Sequence, residues 1–214
     1  HRLHLCSMIS SVLYVLSLST RTCWLMVEQG AFPLIDLLLS EAQGCKNVFD
    51  AKIRLEKASS SPRKRSKSRE RRSKKSERRS NETGNSSSSS SSSDDGGGEG
   101  REATDVMFMC MGTLSNIALE ERCRKRMLNE NMARTLISLA KSPANGSLVR
   151  SACATAIRSL ASSSKSALQV TSIGGLDALV DMASENDDAI RRECFLALCT
   201  IMSCSFDDML RNLG

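Results

Sequence analysis

The 214 residues are 40% hydrophobic but only 3% aromatic, so the core must come from aliphatic, Met and Cys side chains, which favours packed helices over an aromatic-rich β-sandwich. The net charge of +6 belongs to one segment and not to the fold, because Arg63–Arg79 holds eleven Lys or Arg and two Glu, a balance of +9 that leaves −3 for the remainder. Nine cysteines, an odd number without a C-x-x-C pair, argue against a disulfide-bonded secreted domain and for a reducing intracellular location, cytoplasmic or nuclear.

The first apolar block covers residues 1–57. Its run Leu5–Leu18 is too short to cross a bilayer, contains several Ser and meets Arg21, so we expect no membrane insertion. The chain starts at His1 and stops within a repeating unit, and we therefore expect a fragment of a longer protein.

Residues 58–102 contain almost no apolar side chains. A basic Ser-rich stretch at Ser59–Ser80 is followed by eight consecutive serines at Ser86–Ser93 and by the acidic, glycine-rich Asp94–Gly100. Such a segment cannot bury enough apolar surface to offset the entropy lost on ordering. The sequence therefore predicts a long disordered insertion here.

The insertion carries two sets of candidate functional residues. Its basic cluster has the density of a nuclear localisation signal or of a nucleic-acid contact, and about five phosphates would cancel its charge. Ser91 and Ser92 precede Asp94 and Asp95 by three residues, which suits acid-directed kinases. A solvated linker of biased composition is the alternative interpretation. The basic set is Arg63, Lys64, Arg65, Lys67, Arg71, Arg72, Lys74 and Lys75, and the candidate phosphorylation sites are Ser66, Ser68, Ser73, Ser80, Ser91 and Ser92.

The second apolar block, residues 103–214, repeats itself at intervals of 43 and 41 residues. In each copy apolar residues recur at i, i+4, i+7, i+8 and i+11, which is one buried face of an α-helix. The first block supplies a fourth copy. Two shorter helical stretches separate successive copies and meet at Gly30, Asn131 or Gly174, residues that permit a sharp bend. The four predicted faces are Met8, Val12, Val15, Leu16 and Ser19; Val106, Cys110, Thr113, Leu114 and Ile117; Val149, Cys153, Ala156, Ile157 and Leu160; and Ile190, Cys194, Ala197, Leu198 and Ile201.

The stretches VEQGAFPLIDLLLS, GTLSNIALEE and IGGLDALVDMAS resemble the armadillo repeat. The resemblance implies an all-α, right-handed solenoid with three helices in each unit and about three units plus partial ends. Residues 1–57 would form its N-terminal part and residues 103–214 its C-terminal part. The insertion, residues 58–102, would lie between the second and third helices of one unit.

In such a solenoid the third helices line a groove that binds partner segments. Importin-α-like members hold basic peptides there with a Trp and an Asn four residues later. The corresponding positions here keep only Asn116 and never the Trp, so recognition of nuclear import signals by the repeats is not expected. The compared pairs are Tyr14/Leu18, Gly112/Asn116, Thr155/Ser159 and Leu196/Thr200.

Three arginines suggest a different ligand for this groove. Arg150 and Arg191 are related by the 41-residue interval, and Arg158 lies two turns after Arg150, so together they could form a basic stripe for an acidic peptide. The alternative is that they are solvated charges with local acidic partners at Asp187, Asp188 and Glu193. The candidate groove residues are Asn116, Arg150, Arg158, Ser159, Arg191 and Thr200.

Catalytic, cofactor and metal sites are not expected. The only histidines, His1 and His4, lie at the start of the chain, and no phosphate-binding loop is recognisable. Cys110, Cys153 and Cys194 share one repeat position and are best explained as small core residues.

The sequence thus predicts a protein–protein interaction scaffold that binds a partner segment in its groove and is localised or regulated through a basic, phosphorylatable insertion. The alternative is a nucleic-acid-associated factor that contacts phosphates weakly through the Arg/Ser-rich insertion. Without stacking aromatic residues in that segment, such binding would be indifferent to sequence and sensitive to salt.

Overall fold

The computed structural model describes residues 1–60 and 98–213, in which ten helices and no strands are found. The prediction of an all-α fold is confirmed for this part of the chain. The helices are α1 (Arg2–Ser17), α2 (Thr20–Glu28), α3 (Ala31–Ser60), α4 (Gly98–Leu119), α5 (Glu121–Asn129), α6 (Met132–Lys141), α7 (Ser147–Leu160), α8 (Ser164–Ser172), α9 (Gly175–Ala183) and α10 (Asp188–Leu213).

Nine of these helices form three successive triplets, α2–α4, α5–α7 and α8–α10. In each triplet the first two helices meet at a residue in the left-handed region, namely Gly30 (φ 84°), Asn131 (φ 63°) and Gly174 (φ 87°). Glycine reaches this region without a Cβ clash, and Asn tolerates it better than most residues. The three bends predicted from the sequence are therefore confirmed.

The triplets pack on one another in chain order, each helix against its counterpart. The third helices form a continuous row, α1, α4, α7 and α10, which we call the third-helix row; α1 takes the place of a third helix at its start. The first helices follow the same order, as do the second helices. Within each triplet the second helix packs along the third.

The apolar face predicted for the third helices is their core face. In α4, Val106, Cys110 and Ile117 are at most 1% exposed, and the same positions of α7 and α10 are also buried. Burial of a large aliphatic side chain is worth roughly 1.5–3 kcal/mol, so this repeated face supplies much of the stabilisation of the stack. The residues that share it are Thr113, Leu114, Val149, Cys153, Ala156, Ile157, Leu160, Ile190, Cys194, Ala197 and Ile201, with Leu198 partly buried.

The alignment of α1 with the other third helices differs from the predicted one. Cys23 donates to the carbonyl of Ser17 (Sγ···O 3.1 Å), and Arg124 donates to the carbonyl of Ala118 (Nη1···O 3.3 Å). Cys23 and Arg124 each lie four residues after the N-cap of a first helix. Ser17 is therefore the counterpart of Ala118, which lies 101 residues later in the chain. The predicted alignment paired Met8 with Val106, 98 residues later, so the two alignments differ by three residues.

The buried residues of α1 also differ from the predicted ones. The predicted face, Met8, Val12, Val15 and Leu16, is exposed to solvent, and its last member, Ser19, is the N-cap of α2. The buried residues are Leu3, Ser10 and Ser17. The prediction was wrong here because apolar residues surround α1, so their periodicity does not identify one face.

The helices beside the insertion are longer than predicted. Residues 58–60 belong to α3 and residues 98–102 to α4, although their composition placed them in the insertion. Phe49 of α3 lies against Gly100 of α4, and a Cβ on that glycine would come within 2.7 Å of the ring. This close packing lies in the first turn of α4, in residues whose composition had placed them in the insertion. The predicted disorder of the central segment concerns residues outside the described ranges.

No single helix in the described ranges is long and apolar enough to cross a bilayer. The helices Thr20–Glu28 and Ala31–Leu55 meet the length and composition requirement only when they are counted together, and the angle between them is 85°.

Candidate partner-binding face

The third-helix row has a solvent-facing side with a shallow pocket between α1, α4 and α7. The pocket has a volume of about 260 Å³, and Gly112 is one of its lining residues. The ring of Tyr14 lies so close to this glycine that a Cβ there would be 2.7 Å from the Tyr14 Cε2 atom. The absence of a side chain thus opens the pocket and lets α1 approach α4. The other lining residues are Phe108, Met111, Ser115, Asn116, Ala152 and Thr155.

Polar side chains on this side join successive third helices. The Asn116 side-chain amide donates to Ser17 Oγ across α4 and α1 (3.0 Å). Between α4 and α7, the Ser115 and Ser159 hydroxyls are hydrogen-bonded (2.9 Å). Thr155 continues the series by donating to a Glu193 carboxylate oxygen of α10 (3.0 Å). Asn116 and Ser159, predicted as groove residues, therefore hold the row together; Asn116 also lines the pocket, whereas Ser159 is buried.

Arg150 does not lie on the groove, contrary to the sequence-based expectation. Its side chain is only 6% exposed, and Nε donates to the carbonyl of Ala140 (2.9 Å). Nη2 donates to Glu185 Oε1 (2.7 Å), and Nη1 donates to the other oxygen of that carboxylate. The bidentate pair holds the pKa of Glu185 below its ordinary value, chiefly through the hydrogen bond from Arg150. Arg150 connects the end of α6, the start of α7 and the α9–α10 turn.

The other predicted groove residues do not complete a basic stripe. Arg191 pairs with Asp188 (2.8 Å) and donates to the carbonyl of Glu185 (3.1 Å), so it belongs to the start of α10. Arg158 is partly buried in the last turn of α7, and Thr200 donates within its own helix to the carbonyl of Leu196 (2.9 Å). These contacts favour the alternative of local charge pairing over an arginine stripe.

The described part of the chain carries no net charge. Residues 61–97 contain eleven Lys or Arg and five Asp or Glu, so their +6 equals the charge of the whole chain. Nineteen basic and nineteen acidic residues remain in the described ranges. The pocket around Gly112 is lined by neutral residues alone, which favours an uncharged ligand group over an acidic one.

The repeated cysteines are buried core residues. Burial raises the pKa of Cys110 and Cys153 to about 12 and that of Cys194 to about 11. In the described ranges no three His, Cys, Asp or Glu side chains are grouped closely enough to hold a metal ion. The position of Cys153 is decided by packing, since its thiol contacts the Met111 sulfur of α4 at 3.4 Å.

No family model matches the chain, and no curated protein matches it. The face described above must therefore be interpreted from its own residues. The predicted basic cluster, Arg63 to Lys75, and all six predicted phosphorylation sites, Ser66 to Ser92, lie outside the described residues.

Tyr14 and Gly112, which shape the pocket, occupy two of the groove positions compared with the importin-α-like pattern, although neither was among the candidate groove residues. A second sequence signal for the pocket existed: Gly112 interrupts a helical apolar pattern between Cys110 and Leu114 without a bend. A glycine in such a place often marks close approach of another element. The aromatic residue that approaches it is 98 residues away in the chain, and its identity required the structure.

Proposed function

We propose that this chain is an armadillo-type scaffold whose third-helix row binds a segment of a partner protein. Three observations support the armadillo assignment: helix triplets, a positive-φ bend between the first two helices of each triplet, and a continuous row of third helices. The family resemblance of the sequence agrees with all three.

The observation that carries the binding function is the neutral pocket at Gly112. It lies where α1, α4 and α7 meet, so a segment crossing the row would pass over it. Phe108 and Tyr14 provide apolar surface. The side-chain NH2 group of Asn116 donates to Ser17, and the carbonyl oxygen of the same side chain can accept a hydrogen bond from a ligand. The ligand that fits is an extended or helical segment that places one apolar side chain in the pocket.

Selection from a displayed random-peptide library tests this function directly. Peptides enriched on the wild-type chain should share an apolar residue and lose roughly tenfold or more in affinity for a Phe108→Glu variant, which puts a charge at the pocket edge. Leu168→Glu is the matched control, because Leu168 is an exposed apolar residue of α8 outside the pocket. Equal affinity for all three proteins would refute binding at this face.

The nucleic-acid alternative depends on the basic insertion and gains nothing from the described residues, whose charges balance. Deletion of residues 61–97 separates the two functions: peptide binding should be retained, whereas any salt-sensitive retention on nucleic acid should be lost. Nuclear localisation through Arg63–Lys75 stays a prediction and can be tested with the same deletion.

A further inference from the structure

The first helices of the second and third triplets, α5 and α8, pack on each other and border a second pocket, which we call the α5–α8 pocket. Its volume is about 550 Å³. Four charged side chains line it, and three of them are basic, so the pocket has an excess of two positive charges. These side chains are Arg124, Lys125, Lys165 and Glu121.

Arg124 is a buried cation without a carboxylate partner in the described ranges. The residue is only 7% exposed, and its Nη1 donates to the carbonyl of Ala118 and to the hydroxyl of Ser162. Its Nε and Nη2 form no hydrogen bond with the described residues. Since every fully enclosed side-chain nitrogen in that part of the chain has a partner, these two nitrogens keep access to the pocket that Arg124 lines. Buried charges in proteins are paired as a rule, so the free donors favour an anionic ligand.

The start of α8 adds further donors to the same pocket. The N-cap hydroxyl of Ser163 accepts from the Ser166 amide (3.4 Å), whereas the amides of Ser164 and Lys165 donate to no group in the described ranges. The first-turn amides of a helix carry a partial positive charge and favour an anion. The Lys165 ammonium belongs to an exposed side chain of the same turn and lines the pocket.

The three basic groups act on one place. The pKa of Glu121 is lowered, chiefly by the hydrogen bond from Lys125 and also by the charges of Lys125, Arg124 and Lys165. Lys125 is already paired with Glu121 (Nζ···Oε1 2.6 Å). Arg124 and Lys165 have no such pair within the described ranges, so two positive charges remain for a ligand.

We propose that the α5–α8 pocket binds the phosphate group of a phosphate monoester, with Arg124, Lys165 and the first amides of α8 as donors. Such a group carries a charge of about −1.5 to −2 at pH 7 and three acceptor oxygens, so it balances the excess charge and accepts from several donors at once. A carboxylate has one charge and two oxygens. The volume of about 550 Å³ leaves room for the esterified molecule. The site is formed by first helices and is separate from the Gly112 pocket, so it goes beyond the proposed partner binding.

NMR titration of the ¹⁵N-labelled whole chain at constant ionic strength tests this site. The amide signals of Ser164 and Lys165 and the Nε–H signal of Arg124 should shift and saturate with O-phospho-L-serine, and less tightly with inorganic phosphate. Serine should shift none of them. Saturation with inorganic phosphate alone would overturn binding of a monoester. The absence of any saturable shift up to about 50 mM, or a shift that leaves the Arg124 signal unchanged, would overturn the site as assigned.

Three exposed residues supply the variants, which keep the buried contacts of Arg124 intact. Lys165→Gln should weaken the binding of O-phospho-L-serine about threefold, because it removes a cation from the pocket. Glu121→Gln should strengthen it, because it removes the one negative side chain. Lys141→Gln is the control: it makes the same charge change at the end of α6, outside the pocket, and should leave the affinity unchanged. Equal weakening by Lys165→Gln and Lys141→Gln would overturn the proposal, since it would mean attraction to the overall charge alone.

Discussion

Arg150 and Glu185 form a bidentate ion pair that joins the first turn of α7 to the turn between α9 and α10. The arginine also donates to the carbonyl of Ala140, so one buried side chain connects three places in two successive triplets. A residue whose charge suggested ligand binding is therefore part of the structure that aligns the triplets.

Replacement of Arg150 by Met should lower the free energy of unfolding by about 2 kcal/mol, because the buried carbonyl of Ala140 loses its donor and the Glu185 carboxylate loses its partner. Urea denaturation followed by circular dichroism measures the loss. Arg191→Met is the matched control, since Arg191 makes an exposed pair with Asp188, and it should change stability by less than about 0.5 kcal/mol. Equal effects of the two substitutions would contradict the structural importance of Arg150.

The Arg150–Glu185 pair should also make stability depend on pH. The fold lowers the pKa of Glu185, so the carboxylate contributes stability above its unfolded value of about 4.5 and loses that contribution as the pH falls through the lower folded value. A Glu185→Gln variant should therefore be less stable than the wild type at pH 7, and the difference should narrow in the acid range. A difference that is constant down to pH 2 would show that the pair contributes no pH-dependent stability.

The bend at Gly174 should tolerate a side chain poorly. Its φ of 87° costs an L-residue about 1 kcal/mol, although a Cβ would have only the Lys141 amine nearby, at 3.7 Å. Gly174→Ala should lower the free energy of unfolding by that amount. Gly44→Ala in the middle of α3 has open space around it and should raise stability by roughly 0.5–1 kcal/mol. Opposite signs for these two glycine-to-alanine changes in thermal denaturation would agree with the backbone geometry.

The contact between Tyr14 and Gly112 should appear as an energetic coupling. Gly112→Ala brings a methyl group 2.7 Å from the Tyr14 ring, so the gain in helix propensity is offset by displacement of the ring from α4. In the background of Tyr14→Ala the same change should be stabilising, as it is at Gly44. A double-mutant cycle should give a coupling of about 1 kcal/mol, and strict additivity would mean that the two residues do not touch.

The cysteines should react with thiol reagents in the order of their burial. Cys199 is exposed and should react first, whereas Cys110 and Cys153 are buried with their pKa values raised to about 12 and should react only after unfolding. Mass spectrometry of the chain after a short pulse of iodoacetamide at pH 8, with and without urea, measures the order. Rapid labelling of Cys153 in the native protein would contradict the packing of α7 on α4.

Local signals in the sequence were sufficient to predict the helices and their bends. The i, i+4, i+7, i+8 and i+11 spacing predicts a helix with one buried face, and Gly30, Asn131 and Gly174 predict the bends, because both effects depend on residues close together in the chain. The repeat interval then predicts that these helices pack in the same way each time.

The alignment of α1, the place of Arg150 and the partner of Gly112 were decided by tertiary structure. An apolar helix such as α1 has no preferred face until its neighbours are in position. An arginine at the start of a helix is either solvated or buried, depending on whether a distant carboxylate and carbonyl reach it; here Glu185 and Ala140 do. The sequence alone thus determined a stack of repeated helices, and long-range packing decided which of its surfaces remain free to bind.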